Sequence, residues 1–321
     1  AGLAAQIIPH NGTSAPLSHL ILIAKGHVIY LLPPPRKLYC MRTVLFIFFL
    51  ASGSAQAASL AAADSLYELR AEGAEGDRAL RAPIAAAIAA YKEAAVAQPK
   101  SIEIKWKLLR ALFFEGQYTG YSRPERQAWY SEAVDHAEES LAEAAELCGG
   151  NKTWKRGRRP QVARHCNTDD AAQLYLWSAV AWAQWGRASG AVDAVRHGMA
   201  AKLNDYAQRV IELDPHCEQG GGQRLLASLH ARLPKIPLIT GFVRRDQAIP
   251  MANAALEIDA NHPGNRYIHA TVLLRVAPER YAEAEATLKA LANEEARGPW
   301  RVEWHNLSRR AQKWLDGRYE P

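Results

Sequence analysis

The chain has 321 residues, 49% of them hydrophobic, and a formal charge of +6. That is enough apolar material for a sizeable core, and the Ala-, Glu-, Leu- and Arg-rich make-up with few β-branched runs argues against a sheet-built protein. The basic excess sits at one end. Residues 1–57 contribute Lys25, Arg36, Lys37 and Arg42 and no acid, and without them 35 bases face 33 acids, a balance that offers no electrostatic footing for a nucleic-acid partner.

The chain opens on residues 1–40, where Pro33, Pro34 and Pro35 interrupt an apolar stretch from Leu20 to Leu32. Met41 then begins a basic start, an apolar run of about ten residues and the small-residue site Ala55-Gln56-Ala57. This is the plan of a secretory signal peptide, and its apolar run is shorter than a comfortable membrane span. The reading is therefore an upstream segment (1–40) outside the mature protein, a signal peptide (41–57) cleaved after Ala57, and an exported, periplasmic domain (58–321). A second membrane-associated segment within 1–40 is the alternative.

From there the signal is helical. Ala87, Tyr91, Ala94 and Pro99 follow one another at offsets of 4, 3 and 5, the small–aromatic–small–proline order of the second helix in a tetratricopeptide (TPR) hairpin. A helix over 101–115 follows, with Ser101 as N-cap and Trp106, Leu109, Leu112 and Phe113 on it. A long one over 124–147 opens on Pro124, a good first helical residue. Residues 149–170 carry Lys152, Lys155, Arg156, Arg158, Arg159 and Arg164 without helical patterning, and read as a basic loop inserted into one repeat. The arithmetic agrees: Pro99 and Pro215 lie 116 positions apart, and TPR units run about 34 residues, so the excess is about the size of this loop. Ala171–Trp185 is the most aromatic helix, and its partner closes on Asp214-Pro215. A short helix over 223–233, a double proline break at Pro234 and Pro237, and repeat-spaced alanines at Ala248/Ala282 and Ala252/Ala286 complete the body. A last helix through Trp304, Leu307, Ala311 and Trp314 suits a capping role. The fold class expected is all-α, a TPR-like α-solenoid or superhelix, in which each hairpin buries its apolar face on its neighbours.

Chemistry is sparse. No Gly-x-Ser-x-Gly, Walker A, His-Glu-x-x-His or Gly-x-Gly-x-x-Gly pattern occurs, and neither the His165-Cys166 nor the His216-Cys217 pair has metal-ligand spacing to a second pair. The reading is of a protein that is not an enzyme and holds no metal or cofactor. Cys148 and Cys166 flank the basic loop, and an exported chain is expected to join them, leaving Cys217 as a small buried apolar residue. Trp177 and Trp182 lie about 140° apart around their helix, so one flank packs and the other is available for binding. The expected ligand or partner site is walled by Trp106, Phe113, Tyr175, Trp177 and Trp182, with Arg187 at the helix C-terminus where the dipole favours a cation.

Trp177-Ser-Ala-Val-Ala-Trp182-Ala-Gln-Trp185-Gly186, the Pro234–Gly241 loop ahead of Ala248, and Lys105–Tyr121 together resemble the T component of TRAP transporters. The resemblance would span most of 80–315. It implies degenerate TPR units around an apolar cavity, a homotrimer, and docking of the solute-binding P component. A general TPR adaptor for peptides or envelope proteins is the alternative.

Overall fold

The computed structural model describes residues 21–24, 27–30 and 60–317; the expected signal peptide and cleavage site lie outside the described residues. Two units separate, residues 1–53 and 54–321. In the first, strands β1 (Ile21–Ala24) and β2 (His27–Tyr30) pair antiparallel, Ile21 against Tyr30 and Ala24 against His27.

The described residues of the second unit are all-helical, apart from an isolated bridge between Glu75 and Arg78. Helix α1 (60–68) tightens into a 3-10 turn over Leu69–Ala71. It is followed by α2 (Arg81–Ala97), α3 (Ile102–Tyr118) and α4 (Arg123–Leu147). Local chemistry sets these starts. The Ser101 hydroxyl accepts from the Ile104 N–H at α3. At α4, Ser122 and Glu125 form a reciprocal capping box with Pro124 in the first turn, which satisfies amide donors that the helix itself leaves open.

Residues 149–170, expected as an unpatterned loop, instead form α5 (Gly150–Arg156) and α6 (Arg159–Val162). The reason is tertiary. Arg209, buried and 55 positions away from Trp154, donates to the carbonyls of Trp154 (2.7 Å), Gly157 (2.6 Å) and Thr153 (3.3 Å). Trp154 itself is buried and stacks on Tyr175 at 4.7 Å between ring centroids. A guanidinium thus satisfies the carbonyls at the end of α5, and a buried indole holds the segment down. Cys148 and Cys166 are joined at its two ends, with Cα atoms 5.3 Å apart.

Helix α7 (Thr168–Ser189) follows, its Asn167 cap accepting from the Asp169 and Asp170 N–H groups. Next come α8 (Ala191–Arg196), α9 (Met199–Leu213), α10 (Gly221–Arg232), α11 (Ala248–Ile258), α12 (Pro263–Val276), α13 (Tyr281–Asn293) and α14 (Arg301–Leu315). Consecutive long helices pack on one another, and α7 lies against α3, α4 and α9 at once. Small residues permit this closeness. A Cβ on Gly116 would meet Trp129 and Tyr130 of α4 at 2.7 Å. The fully buried Ala171, Ala172 and Ala179 of α7 belong to the main core, which reaches from α1 to α10, while a second cluster joins α12, α13 and α14.

The two ends of this helical unit meet. The Arg70 guanidinium donates twice to Glu303 Oε1, at 3.1 and 3.0 Å. Asn306 donates to Asp77 at 2.9 Å, Arg309 pairs with Asp77, and Arg301 donates to the Ala71 carbonyl. Helix α14 is therefore not a free cap; it closes the array on its own beginning.

Candidate functional site

The closure leaves a pocket of about 610 Å³ that is partly open to solvent. Its walls come from helices far apart in sequence. Tyr67 enters from α1, Phe113 and Phe114 from α3, Gln173 and Trp177 from α7. Glu218 and Gln219 come from the turn before α10, His262 from the start of α12, and Trp300, Glu303, Trp304 and Leu307 from α14 and the turn preceding it. A smaller cavity of about 260 Å³ shares Trp177, Glu218 and Leu307 with it and continues between α7, α10 and α12.

The aromatic wall is built and oriented. The Phe113 and Trp177 rings meet at 5.7 Å, and Trp177 Nε1 donates to Gln173 Oε1 at 3.1 Å, one turn back on the same helix. Behind the wall, Arg70 is fully buried with its guanidinium over Tyr67 (4.4 Å) and Trp300 (4.5 Å). Stacking on ring faces is where a buried guanidinium is best tolerated. The Tyr67 hydroxyl is pushed up to about 12 by burial, so it stays protonated.

Polar groups share the wall with the rings: Gln173, Glu218, Gln219, Asp259, Asn261, His262 and Glu303. Burial raises the Glu303 carboxyl above the usual carboxylate range, with Arg70 pulling it back. Its Oε2, and the Nε1 of Trp304, are buried and have no hydrogen-bond partner on the protein. His262 Nδ1 accepts from the Asn265 N–H at 3.2 Å, which caps α12. Burial, helped by Arg224, pushes this imidazole down to about 4, so it is neutral with its proton on Nε2.

One stretch of wall is strained. Glu218 (φ 46°) and Gln219 (φ 50°) both stand in the left-handed region, ahead of Gly220 at 90°. Non-glycine residues rarely adopt this conformation and hold it only where the surroundings impose it. Here Arg224 donates to both carbonyls, at 2.7 and 2.9 Å, and Asn265 Nδ2 adds a bond to Gln219 O at 3.0 Å. Gly220 must remain bare, because a Cβ there would lie 3.2 Å from the Ala255 backbone.

Of the residues expected at a site, Phe113 and Trp177 come together on this wall. The others stand elsewhere. Trp106 is buried, donating to Asp170 at 2.9 Å with Arg110 over its ring at 5.0 Å. Tyr175 lines a separate cleft of about 810 Å³, where Glu138, Lys155, Lys202 and Arg209 mix both signs of charge. Trp182 donates to Glu138 at 2.7 Å, meets Trp185 edge to face and carries Lys202 over its ring at 3.9 Å. Arg187 is exposed on the last turn of α7. The angular argument thus matches the geometry of α7, with Trp177 on the cavity and Trp182 turned toward α4. Sequence reasoning missed the contributions of Tyr67, Phe114, Glu218, His262, Trp300, Glu303 and Trp304. Trp304 and Leu307 do carry a signal, as part of the apolar stripe of the last helix, but that stripe reads as a cap and not as a cavity wall.

No protein-family model matches the chain, and no curated protein does. Among the described residues, no group of three or more His, Cys, Asp or Glu side chains is placed to hold a metal ion, and no helix is long and apolar enough to cross a membrane. The pocket combines aromatic walls with a neutral imidazole, the amides of Gln173, Gln219 and Asn261, and the carboxyl groups of Glu218, Asp259 and Glu303. Pockets of this size that pair aromatic walls with convergent polar groups are typical of small-ligand sites.

Proposed function

We propose that the chain is an exported, non-enzymatic accessory of a TRAP-type solute transporter, which holds an apolar ligand in the 610 Å³ cavity and docks the solute-binding P component. In this reading the helix pairs are degenerate TPR units forming a superhelix, the protein works in the periplasm as a homotrimer, and Cys148–Cys166 is an oxidised bridge there. The observation that carries the reading is the aromatic cavity itself. Its exposed lining is mostly apolar and includes the rings of Phe113, Trp177 and Trp300, a surface suited to a small apolar molecule. Burying an apolar guest against Phe113, Trp177 and Trp300 supplies the affinity.

Native mass spectrometry of the protein purified from an exporting host tests this. The reading expects a small apolar molecule to be retained at one per chain and co-purification with a solute-binding component. N-terminal sequencing of the same sample should begin at Ala58. A chain carrying neither ligand nor transporter component would remove the reading's basis.

The 810 Å³ cleft favours a second reading, an adaptor for peptides or envelope proteins. Its mixture of Glu138, Lys155, Lys202 and Asp205 suits an extended polar segment better than an apolar molecule. Peptide binding that is lost on charge reversal at Lys155 and Lys202, with the cavity left unliganded, distinguishes it.

A further inference from the structure

Between α10 and α11 the chain makes a projecting turn with an unusual tip. Pro234 to Ile239 are six consecutive exposed residues, and the apolar ones are open to solvent to different degrees. Leu238 is as exposed as a side chain can be, at 105%, with Ile236 at 42% and Ile239 at 43%. The tip is also rigid. The Ile239 N–H donates to the Ile236 carbonyl at 3.2 Å, closing a tight turn around Pro237 and Leu238. The Thr240 hydroxyl accepts from the Ile236 N–H at 2.8 Å and donates to the Pro234 carbonyl, and Thr240 itself is buried.

Leu238 has φ +67°. The third position of a turn of this kind, after proline, is where glycine or asparagine belongs. A leucine there is strained, and its side chain touches nothing in the chain that offsets the strain. The flanks are basic: Arg232, Lys235, Arg244 and Arg245 against the single acid Asp246 across 232–247. Lys235, Arg244 and Arg245 are exposed, and Asp246 stands near Arg244. This is a local feature, because the chain beyond residue 57 is nearly neutral.

We propose that the Ile236–Ile239 turn is a membrane-contact site that inserts its apolar tip into the interface of an anionic bilayer. Apolar side chains on a narrow, preordered turn reach the headgroup–acyl boundary, about 5–10 Å deep, without any rearrangement. Cations at its base meet anionic headgroups, and each basic residue near such a surface adds attraction that salt screens. A protein partner is the less favoured occupant, since a tip of three side chains covers far less than the roughly 800 Å² per partner of a stable interface. The proposal stands apart from the ligand cavity.

The test uses the full chain with vesicles of phosphatidylglycerol and phosphatidylcholine, and with phosphatidylcholine alone. Because residues 44–50 are apolar as well, co-sedimentation is read together with hydrogen exchange of the 234–243 segment, which reports this turn and not the N-terminus. The expected result is slowed exchange in 234–243 on anionic vesicles only, reversed by 0.5 M salt. Leu238→Gly relieves the strained backbone, so it leaves the melting temperature unchanged or raised while weakening this protection about tenfold, the order expected for withdrawing one leucine from burial. Lys235→Glu with Arg245→Glu abolishes the preference for anionic lipid. Exchange in 234–243 that is unaltered on protein-loaded vesicles, or Leu238→Gly protected like the wild type, overturns the proposal. So does a chain that leaves both vesicle types unbound.

Discussion

Removing Arg70 tests how the array is closed. The guanidinium is fully buried, and its partner Glu303 has a side chain only 18% exposed. Arg70→Met keeps most of the stem that packs on Tyr67 and Trp300 but leaves a carboxylate facing a low-dielectric wall. Breaking a buried pair from one side costs about 3–5 kcal/mol, and the residual exposure of Glu303 places the expectation at about 3 kcal/mol. The pH dependence sharpens the test. Glu303 already titrates above its ordinary value because of burial, with Arg70 opposing; without Arg70 it rises further. A carboxyl whose folded value exceeds the unfolded one contributes stability below the unfolded value, and this is lost as pH rises through the folded one. The loss from Arg70→Met should therefore be largest at pH 7.5 and shrink toward pH 4.5. The double variant Arg70→Met, Glu303→Leu should recover much of it, because no unpaired charge remains. Urea denaturation of the wild type and the two variants at both pH values measures this. A cost under about 1 kcal/mol at pH 7.5, or a cost independent of pH, would refute the account of the closure.

Three further outcomes follow from the same structure. Arg209→Met strands the carbonyls of Thr153 and Gly157 and should destabilise the chain by about 3 kcal/mol, with exchange of α5 amides rising first; a loss below about 1 kcal/mol rules out the clamp. Reducing Cys148–Cys166, or replacing both by serine, should cost about 3 kcal/mol for a loop of this length, and intact-mass analysis finding both thiols free in exported protein contradicts the bridge. His262 titrates well below its ordinary value, so its contribution is complete above about pH 6.5 and is lost as pH falls toward 4; His262→Asn keeps a capping side chain and should flatten that part of the stability–pH curve.

The helices were legible where local chemistry writes them. Ser101 caps α3, Pro124 opens α4, and the Pro99 and Asp214-Pro215 stops fall where the chain leaves its helices. Residues 149–170 were not, because what folds them is Arg209 and Tyr175, supplied from distant helices. No pattern within the segment carries that information. Helix α12 escaped for a related reason: its cap is the imidazole of His262, not one of the short polar side chains that mark most starts. Of the cavity wall, Phe113 and Trp177 were legible, as aromatics on α3 and α7. Much of the rest depends on α14 returning to residues 67–78, and a closure that joins positions 233 apart in sequence leaves no periodic trace. Glu218 and Gln219 gave no warning either, since left-handed backbone is ordinarily signalled by glycine or asparagine.

The central claim is that the aromatic cavity is a ligand site, and titration with the neutral apolar fluorophore N-phenyl-1-naphthylamine tests it most directly. Two variants on opposite flanks of α7 serve as the comparison, Trp177→Ala on the cavity wall and Trp182→Ala toward α4, each first shown to be folded by its melting curve. The account predicts one saturable site per chain, an affinity at least tenfold weaker in Trp177→Ala, and an affinity within about twofold of wild type in Trp182→Ala. Absence of saturable binding, or equal losses in the two folded variants, would contradict it.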